Sequence, residues 1–241
     1  MKFVIATAAV ASCAALSVLL MPVPPSEART SGAIGRGASA IVEGEARVID
    51  GDTLVVAGQR IRLEGIDAPE INQLCAKSKT AGEGWPAGRI AAAALRRWVR
   101  GHQVRCRTVG RGGYGRLLGH CKAGGIDLNA AMIRQGLAWA FLKYSQTFVV
   151  DERKARSAGI GVWSQSCVPA WVYRTRRWQG VAGRAPDGCA IKGNVTRNGR
   201  IYHMPWSPWY GRTRIDASKG ERWFCDESQA IRAGWRPAIV Q

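Results

Sequence analysis

The chain has 241 residues, enough for one good core or for one domain with a small second module. Thirty-five Lys and Arg against 17 Asp and Glu give a net charge of +18. That excess is larger than solubility needs and points to polyanionic partners: nucleic acid, acidic polysaccharide or an anionic surface. Seven cysteines with no C-x-x-C pair, and only three histidines, argue against a zinc site.

Residues 1–28 read as an export signal. Lys2 is the only early charge, Phe3 to Val23 is apolar apart from Thr7, Ser12, Cys13 and Ser17, and Ser26-Glu27-Ala28 fits the small-x-small rule for cleavage. The apolar run is long enough to span a bilayer if kept, so the alternative is an uncleaved membrane anchor. The expected location is therefore the periplasm or the exterior, with membrane anchoring as the second reading. Cleavage removes one charge of each sign, Lys2 and Glu27, so the excess stays at +18. Six cysteines remain, Cys75, Cys106, Cys121, Cys167, Cys189 and Cys225, and an even count in an exported chain argues for disulfides.

Residues 30–40, rich in Gly, Ser and Ala, read as a loose segment. Strand patterns follow over Glu45–Ile49, Thr53–Val56 and Arg60–Ile66, with turns at Gly51-Asp52 and Gly58-Gln59. Residues 71–85 read as loop. Pro86 to Arg100 reads as a helix with an apolar stripe of Ile90, Ala94, Leu95, Trp98 and Val99. Val104–Thr108 and Arg116–Lys122 pattern as two strands of a hairpin, whose arms would bring Cys106 and Cys121 to face each other. Asp127 can cap a helix through Gln135, which Gly136 would end. A further helix is expected from about Phe148 to Ser157. Residues 168–188, mixing Pro, Gly and Arg, read as a connector. A small basic module then spans residues 189–236, bracketed by Cys189 and Cys225. The pattern as a whole is α+β, and periodicity alone does not choose among such folds.

The chemistry concentrates in two stretches. Val48-Ile49-Asp50-Gly51-Asp52-Thr53 and Arg62-Leu63-Glu64-Gly65-Ile66-Asp67-Ala68-Pro69-Glu70 each end a strand in carboxylates, and Tyr114-Gly115-Arg116 adds a second guanidinium to Arg62. Hard oxygen ligands beside two arginines suit metal-assisted attack on a phosphodiester. Each piece also has a plain reading: Asp-Gly is a common turn dipeptide, and an arginine in a basic protein is often a surface charge. Jointly, those readings are weak.

In order and spacing, D-G-D-T … R-L-x-G-I-D-A-P-E … Y-G-R resembles the staphylococcal nuclease family over roughly residues 45–177. The resemblance implies a five-stranded oligonucleotide-binding-type β-barrel with helices. It implies one Ca²⁺ held by Asp52, Asp67 and the backbone carbonyl of Ala68, with Asp50 adding negative potential nearby. It casts Glu70 as general base or water-orienting group, and Arg62 and Arg116 as donors to the phosphate in a more highly charged transition state. Tyr114 and Tyr144 would contact the nucleotide. The implied activity is calcium-dependent hydrolysis of DNA and RNA to 3′-phosphate products, with no stable protein partner. Two departures stand out. Gly112 occupies a position that is often acidic in the family, and Phe141 and Leu142 occupy positions near which the family uses tyrosine. Related exported chains often read W-P-C-G where this one has Trp85-Pro86-Ala87-Gly88, which leaves Cys75 either to pair with Cys167 or to stay free alongside it.

The module after Cys189 resembles a small unit found behind some bacterial nuclease domains and called a sunset domain. Its tryptophans, with those of the connector, suit either base stacking or a compact core. The module is expected to stand outside the active site, because the catalytic set lies between Asp50 and Arg116. A competing function on the same fold is a catalytically weak polyanion-binding protein of the cell envelope, holding acidic polysaccharide.

Overall fold

The computed structural model describes residues 39–76, 84–112, 116–143 and 145–238. The export signal and the two tyrosines, Tyr114 and Tyr144, lie outside these residues. In chain order the first half contains β1 (Ile41–Gly44), β2 (Ala46–Val48), β3 (Thr53–Val56), β4 (Gln59–Leu63), β5 (Ile66–Asp67) and α1 (Ala87–Val99). It continues with β6 (Val104–Arg111), β7 (Leu117–Ala123), β8 (Ile126–Asp127), α2 (Leu128–Arg134), β9 (Trp139–Ala140) and α3 (Val149–Ser157).

Leu54 and Val56 on β3, and Ile61 and Leu63 on β4, recur every second residue and are fully buried, whereas Val55, Arg60 and Arg62 face outward. This alternation forces one face of the hairpin inward. β1 and β2 are two halves of one bent ribbon: β1 pairs with β6 and β2 with β3, both antiparallel. The remaining pairings run β3–β4 and β6–β7 antiparallel and β4–β7 parallel, so the sheet closes on itself as a five-stranded barrel. The fold class is therefore the expected α+β with an oligonucleotide-binding-type barrel.

Two differences from the sequence expectation bear on the site. Strand pairing starts upstream, at Ile41. The expected Arg60–Ile66 strand breaks at Gly65, which takes φ +76 with no room for a side chain, since a Cβ there would sit 3.0 Å from the Phe148 ring. That turn swings β5 out of the barrel to pair with β9, and so aims Asp67 away from β4's line. α1 lays Ala91, Ala92, Leu95 and Val99 onto the barrel core, and Asp127 caps α2 by accepting from Ala130 N at 3.0 Å. Asn129, fully buried in α2, donates to the carbonyls of Glu64 (2.9 Å) and Gly119 (3.2 Å) and accepts from Cys121 N, which fastens the end of β4 to β7.

The region expected as a connector holds a thirteen-residue helix, α4 (Ala170–Ala182), starting after Pro169. Ala170 is buried with Trp139 and Val162, and Trp178 near the other end packs on a second cluster. That cluster, Ile191, Tyr202, Phe224, Ala230 and Trp235, is the core of the C-terminal segment: β10 (Ile191–Thr196), β11 (Gly199–His203), β12 (Arg222–Phe224), α5 (Glu227–Arg232) and β13 (Arg236–Pro237). Its strands form a four-stranded sheet in the order β12-β10-β11-β13. The described residues belong to one compact unit, with three disulfides among them: Cys75–Cys167, Cys106–Cys121 and Cys189–Cys225. No described helix is long and apolar enough to cross a membrane.

Candidate active site

The turn that leads into β3 carries Asp50 and Asp52. Asp50 accepts from Asp52 N at 3.0 Å, and Leu63 N donates to Asp52 O at 2.7 Å, which locks the turn against the end of β4. Asp52 is 3% exposed, and its carboxylate accepts from the Thr53 hydroxyl (2.9 Å) and from Ala68 N (3.1 Å). Asp67, fully buried, lies across from it. Arg62 joins the two: its Nη2 is 2.7 Å from Asp52 Oδ2 and 2.6 Å from Asp67 Oδ1. Glu70 follows on the same loop, held by its amide donating to Gln73 Oε1 at 3.2 Å. α1 can approach this loop only because residue 88 is glycine, since a Cβ there would fall 1.9 Å from the Glu70 carbonyl oxygen.

A third guanidinium completes the cluster, and the motif reading did not contain it. Arg174 of α4 donates from Nη2 to Asp67 Oδ2 (2.7 Å) and from Nη1 to Glu70 Oε1 (2.7 Å) and Asp67 Oδ1 (3.2 Å). Both oxygens of Asp67 are thus held by arginine. α4 is fixed at its start by the Cys75–Cys167 disulfide and by Gln73 Nε2 donating to Val168 O at 2.7 Å, so the loop of Glu70 and the base of α4 share one anchor. The signal for α4 was present as spacing. Trp171, Arg174, Thr175 and Trp178 follow the i, i+3, i+4, i+7 pattern of one helix face, and all four line the same cleft.

The electrostatics follow from burying many charges together. Burial, then the charges of Asp52 and Glu70, push the Asp50 carboxyl up to about 7. Burial would raise Asp52 too, but Arg62, the Ala68 amide and the Thr53 hydroxyl hold it below the usual range. Glu70 is raised, because burial outweighs Arg174. Arg62 and Arg174 are pushed up by their carboxylates despite burial. Arg116 is lowered by burial and by Arg62. Gly112 N donates to Arg116 O at 2.9 Å.

The cleft above this cluster has a volume of about 1090 Å³. Asp50, Asp52, Arg62, Glu70 and Arg116 line it on the barrel side, together with Arg60 and Arg111. The other side is built by α4 and by the C-terminal segment, through Trp206, Trp209, Tyr202 and Glu227. The expectation that residues 189–236 stand apart from the active site is therefore corrected: the segment forms one wall of it.

The donor types, carboxylate and backbone oxygens, are those a hard divalent cation takes, although arginine now holds the carboxylates. Asp52, Asp67 and Glu70 offer hard oxygens around points that the guanidinium nitrogens of Arg62 and Arg174 occupy. Among the described residues, no three acidic, His or Cys side chains converge as an open ion-binding group. In this arrangement guanidinium nitrogens stand between the carboxylates.

A closed oligonucleotide-binding-type barrel whose carboxylates and arginines gather at one cleft is consistent with a nuclease domain. A family model described as "Staphylococcal nuclease homologue" matches residues 60–165, and a second, "ArfC", matches residues 179–237. An "Uncharacterized endonuclease" of Escherichia coli O157:H7 is 34% identical over 122 residues, covering 49% of this chain and 72% of its own. The "Probable staphylococcal-like nuclease CAN1" of Oryza sativa subsp. japonica is 30% identical over 126 residues, 51% of this chain and 34% of its own. The "Succinoglycan biosynthesis protein ExoI" of Rhizobium meliloti (strain 1021) is 34% identical over 108 residues, 44% of this chain and 56% of its own. The chain belongs to the staphylococcal nuclease family and is a phosphodiester hydrolase.

Proposed function

We propose that the protein is an exported, calcium-dependent nuclease that hydrolyses DNA and RNA and leaves 3′-phosphate ends. The observation that carries this reading is the buried meeting of Asp52 and Asp67 with Arg62, and of Asp67 and Glu70 with Arg174, beside a cleft that Arg116 also lines. Asp52, Asp67 and the Ala68 carbonyl would hold Ca²⁺, with Asp50 supplying further negative potential. When bound, the ion supplies positive charge that polarises a phosphate oxygen. Glu70, whose carboxyl is raised by burial, takes the proton of the attacking water or orients it. Arg62 and Arg116 donate to the non-bridging and leaving oxygens, whose charge grows as phosphorus becomes five-coordinate. Tyr114 and Tyr144 would contact the nucleotide. Because both Asp67 oxygens are engaged by arginine, cation binding competes directly with Arg174.

Residues 1–28 as export signal, 45–177 as nuclease domain and 189–236 as a small basic module remain the proposed organisation. The three disulfides and the even cysteine count after cleavage support export. A second reading is a catalytically weak protein that holds an envelope polyanion such as acidic polysaccharide. The arginine-saturated Asp67 favours it, since such a site resists a cation. Incubating the purified chain with DNA and RNA, in Ca²⁺ or in chelator, separates the two: the nuclease degrades both polymers in Ca²⁺ only, and the binding protein degrades neither.

A further inference from the structure

We infer that the α4 and C-terminal wall of the cleft is a base-binding subsite for single-stranded nucleic acid, built around Trp206 and Trp209. This rests on the nuclease reading and names the part of the substrate that the barrel alone does not hold. The tryptophans of the C-terminal segment are not all placed alike. Trp235, 5% exposed, is packed edge-on to Phe224 and belongs to the core of the segment. Trp206 and Trp209 lie outside that core, are half-buried and line the cleft. A small module that used all its tryptophans for packing would not present two of them to a charged cleft.

The loop that carries them is held rigid. Lys192 Nζ donates to Tyr210 O (2.9 Å) and Thr213 O (2.7 Å), Tyr210 Oη donates to Ala190 O (2.7 Å), and Arg177 of α4 donates to Pro205 O (3.2 Å). Trp209 also meets the His203 ring edge-on at 6.2 Å between centroids. Planar side chains fixed in advance lose little entropy when a base stacks on them. Across the cleft stand Arg60, Arg111 and Arg116, beside the carboxylates of Asp50, Asp52, Glu64 and Glu70; on the tryptophan side the one lining acid is Glu227, which accepts from Tyr202 Oη. Two further groups lining the cleft, Arg60 Nε and Ser207 Oγ, have no hydrogen-bond partner among the described residues. Aromatic faces opposite guanidinium groups are how proteins hold unpaired bases along a phosphate backbone. A duplex keeps its base faces stacked internally, so this wall selects single strands.

The test measures binding of a fluorescent single-stranded oligonucleotide to the full chain in chelator, so that no turnover intervenes. A base-bearing strand should bind more tightly than an abasic strand of equal charge. Trp206→Leu and Trp209→Leu should each weaken the base-bearing strand roughly 5- to 150-fold and leave the abasic strand unchanged. Equal affinity of the intact protein for the two strands would overturn the inference without any variant. Equal weakening of both strands by the variants would also overturn it. Absence of cleavage in Ca²⁺, with base-selective binding intact, would count against the nuclease reading alone.

Discussion

Replacing Arg174 by alanine should make the enzyme far more sensitive to calcium. Arg174 makes three charge-assisted contacts, at 2.7, 2.7 and 3.2 Å, with the carboxylates of Asp67 and Glu70. Hydrogen bonds to charged groups contribute about 1.5–3 kcal/mol each, and three on one guanidinium do not add fully. Desolvating the guanidinium offsets much of the sum. A net hold of about 2–4 kcal/mol is reasonable, which converts to roughly a 30- to 1000-fold difference in apparent cation affinity. The calcium concentration for half-maximal cleavage should fall by a factor in that range. Without cation the variant leaves Asp67 and Glu70 short of a partner, at a cost of up to about 3–5 kcal/mol. Its melting temperature in chelator should therefore drop, and calcium should restore more of it than in the parent chain. Arg176→Ala, an exposed neighbour on the same helix, is the control. A calcium titration of cleavage, run beside thermal melts in calcium and in chelator, reads both effects. An unchanged half-maximal concentration would refute the competition, because Asp67 would then be open to the ion regardless of Arg174.

Three other outcomes are expected. Glu70→Gln and Arg116→Ala should each reduce turnover on the order of a hundredfold or more, much more than they weaken oligonucleotide binding, and a loss of turnover under about tenfold would remove that residue from the chemistry. Burial, then Lys192, depress the His203 imidazole to about 4 from 6.5, so the unfolded chain takes up this proton first as the pH falls. The stability it contributes above pH 6.5 should be lost as the pH drops toward about 4, and thermal melts of His203→Gln should lack that loss. The Cys75–Cys167 bridge closes a separation of 92 residues, and removing it with a double serine variant should cost up to about 4–5 kcal/mol in urea unfolding. Because Cys167 tethers the start of α4, the same variant should shift the calcium requirement in the direction of Arg174→Ala.

The strands and the cluster were legible in the sequence for different reasons, while the choice of a barrel rested on the family resemblance. Leu54, Val56, Ile61 and Leu63 keep a strict period of two, and Asp127 with Gly136 marks both ends of a helix, so local rules located those elements. Asp52, Asp67, Glu70 and Arg62 stood at the spacings of the family motif they resemble. α4 was hidden because three arginines and Gly180 dilute its apolar stripe, and the helix is stabilised by what it touches at each end rather than by propensity. Arg174 could not be assigned before α4 was. The contact spans 107 residues to Asp67, and nothing local to either residue signals the other. The break at Gly65 is also tertiary, enforced by the Phe148 ring that fills the space a side chain would need. The wall formed by Trp206 and Trp209 depended on how the C-terminal segment packs, which composition alone left open between core and subsite.

The most direct test of the account is cleavage of a single-stranded DNA and an RNA oligonucleotide by the purified chain, in Ca²⁺ and in excess chelator, with the product ends identified. The account predicts degradation of both strands in Ca²⁺, none in chelator, and products that end in 3′-phosphate. Equal degradation in chelator, or products with 5′-phosphates, would contradict the assignment of Asp52, Asp67 and Glu70 to calcium-assisted hydrolysis.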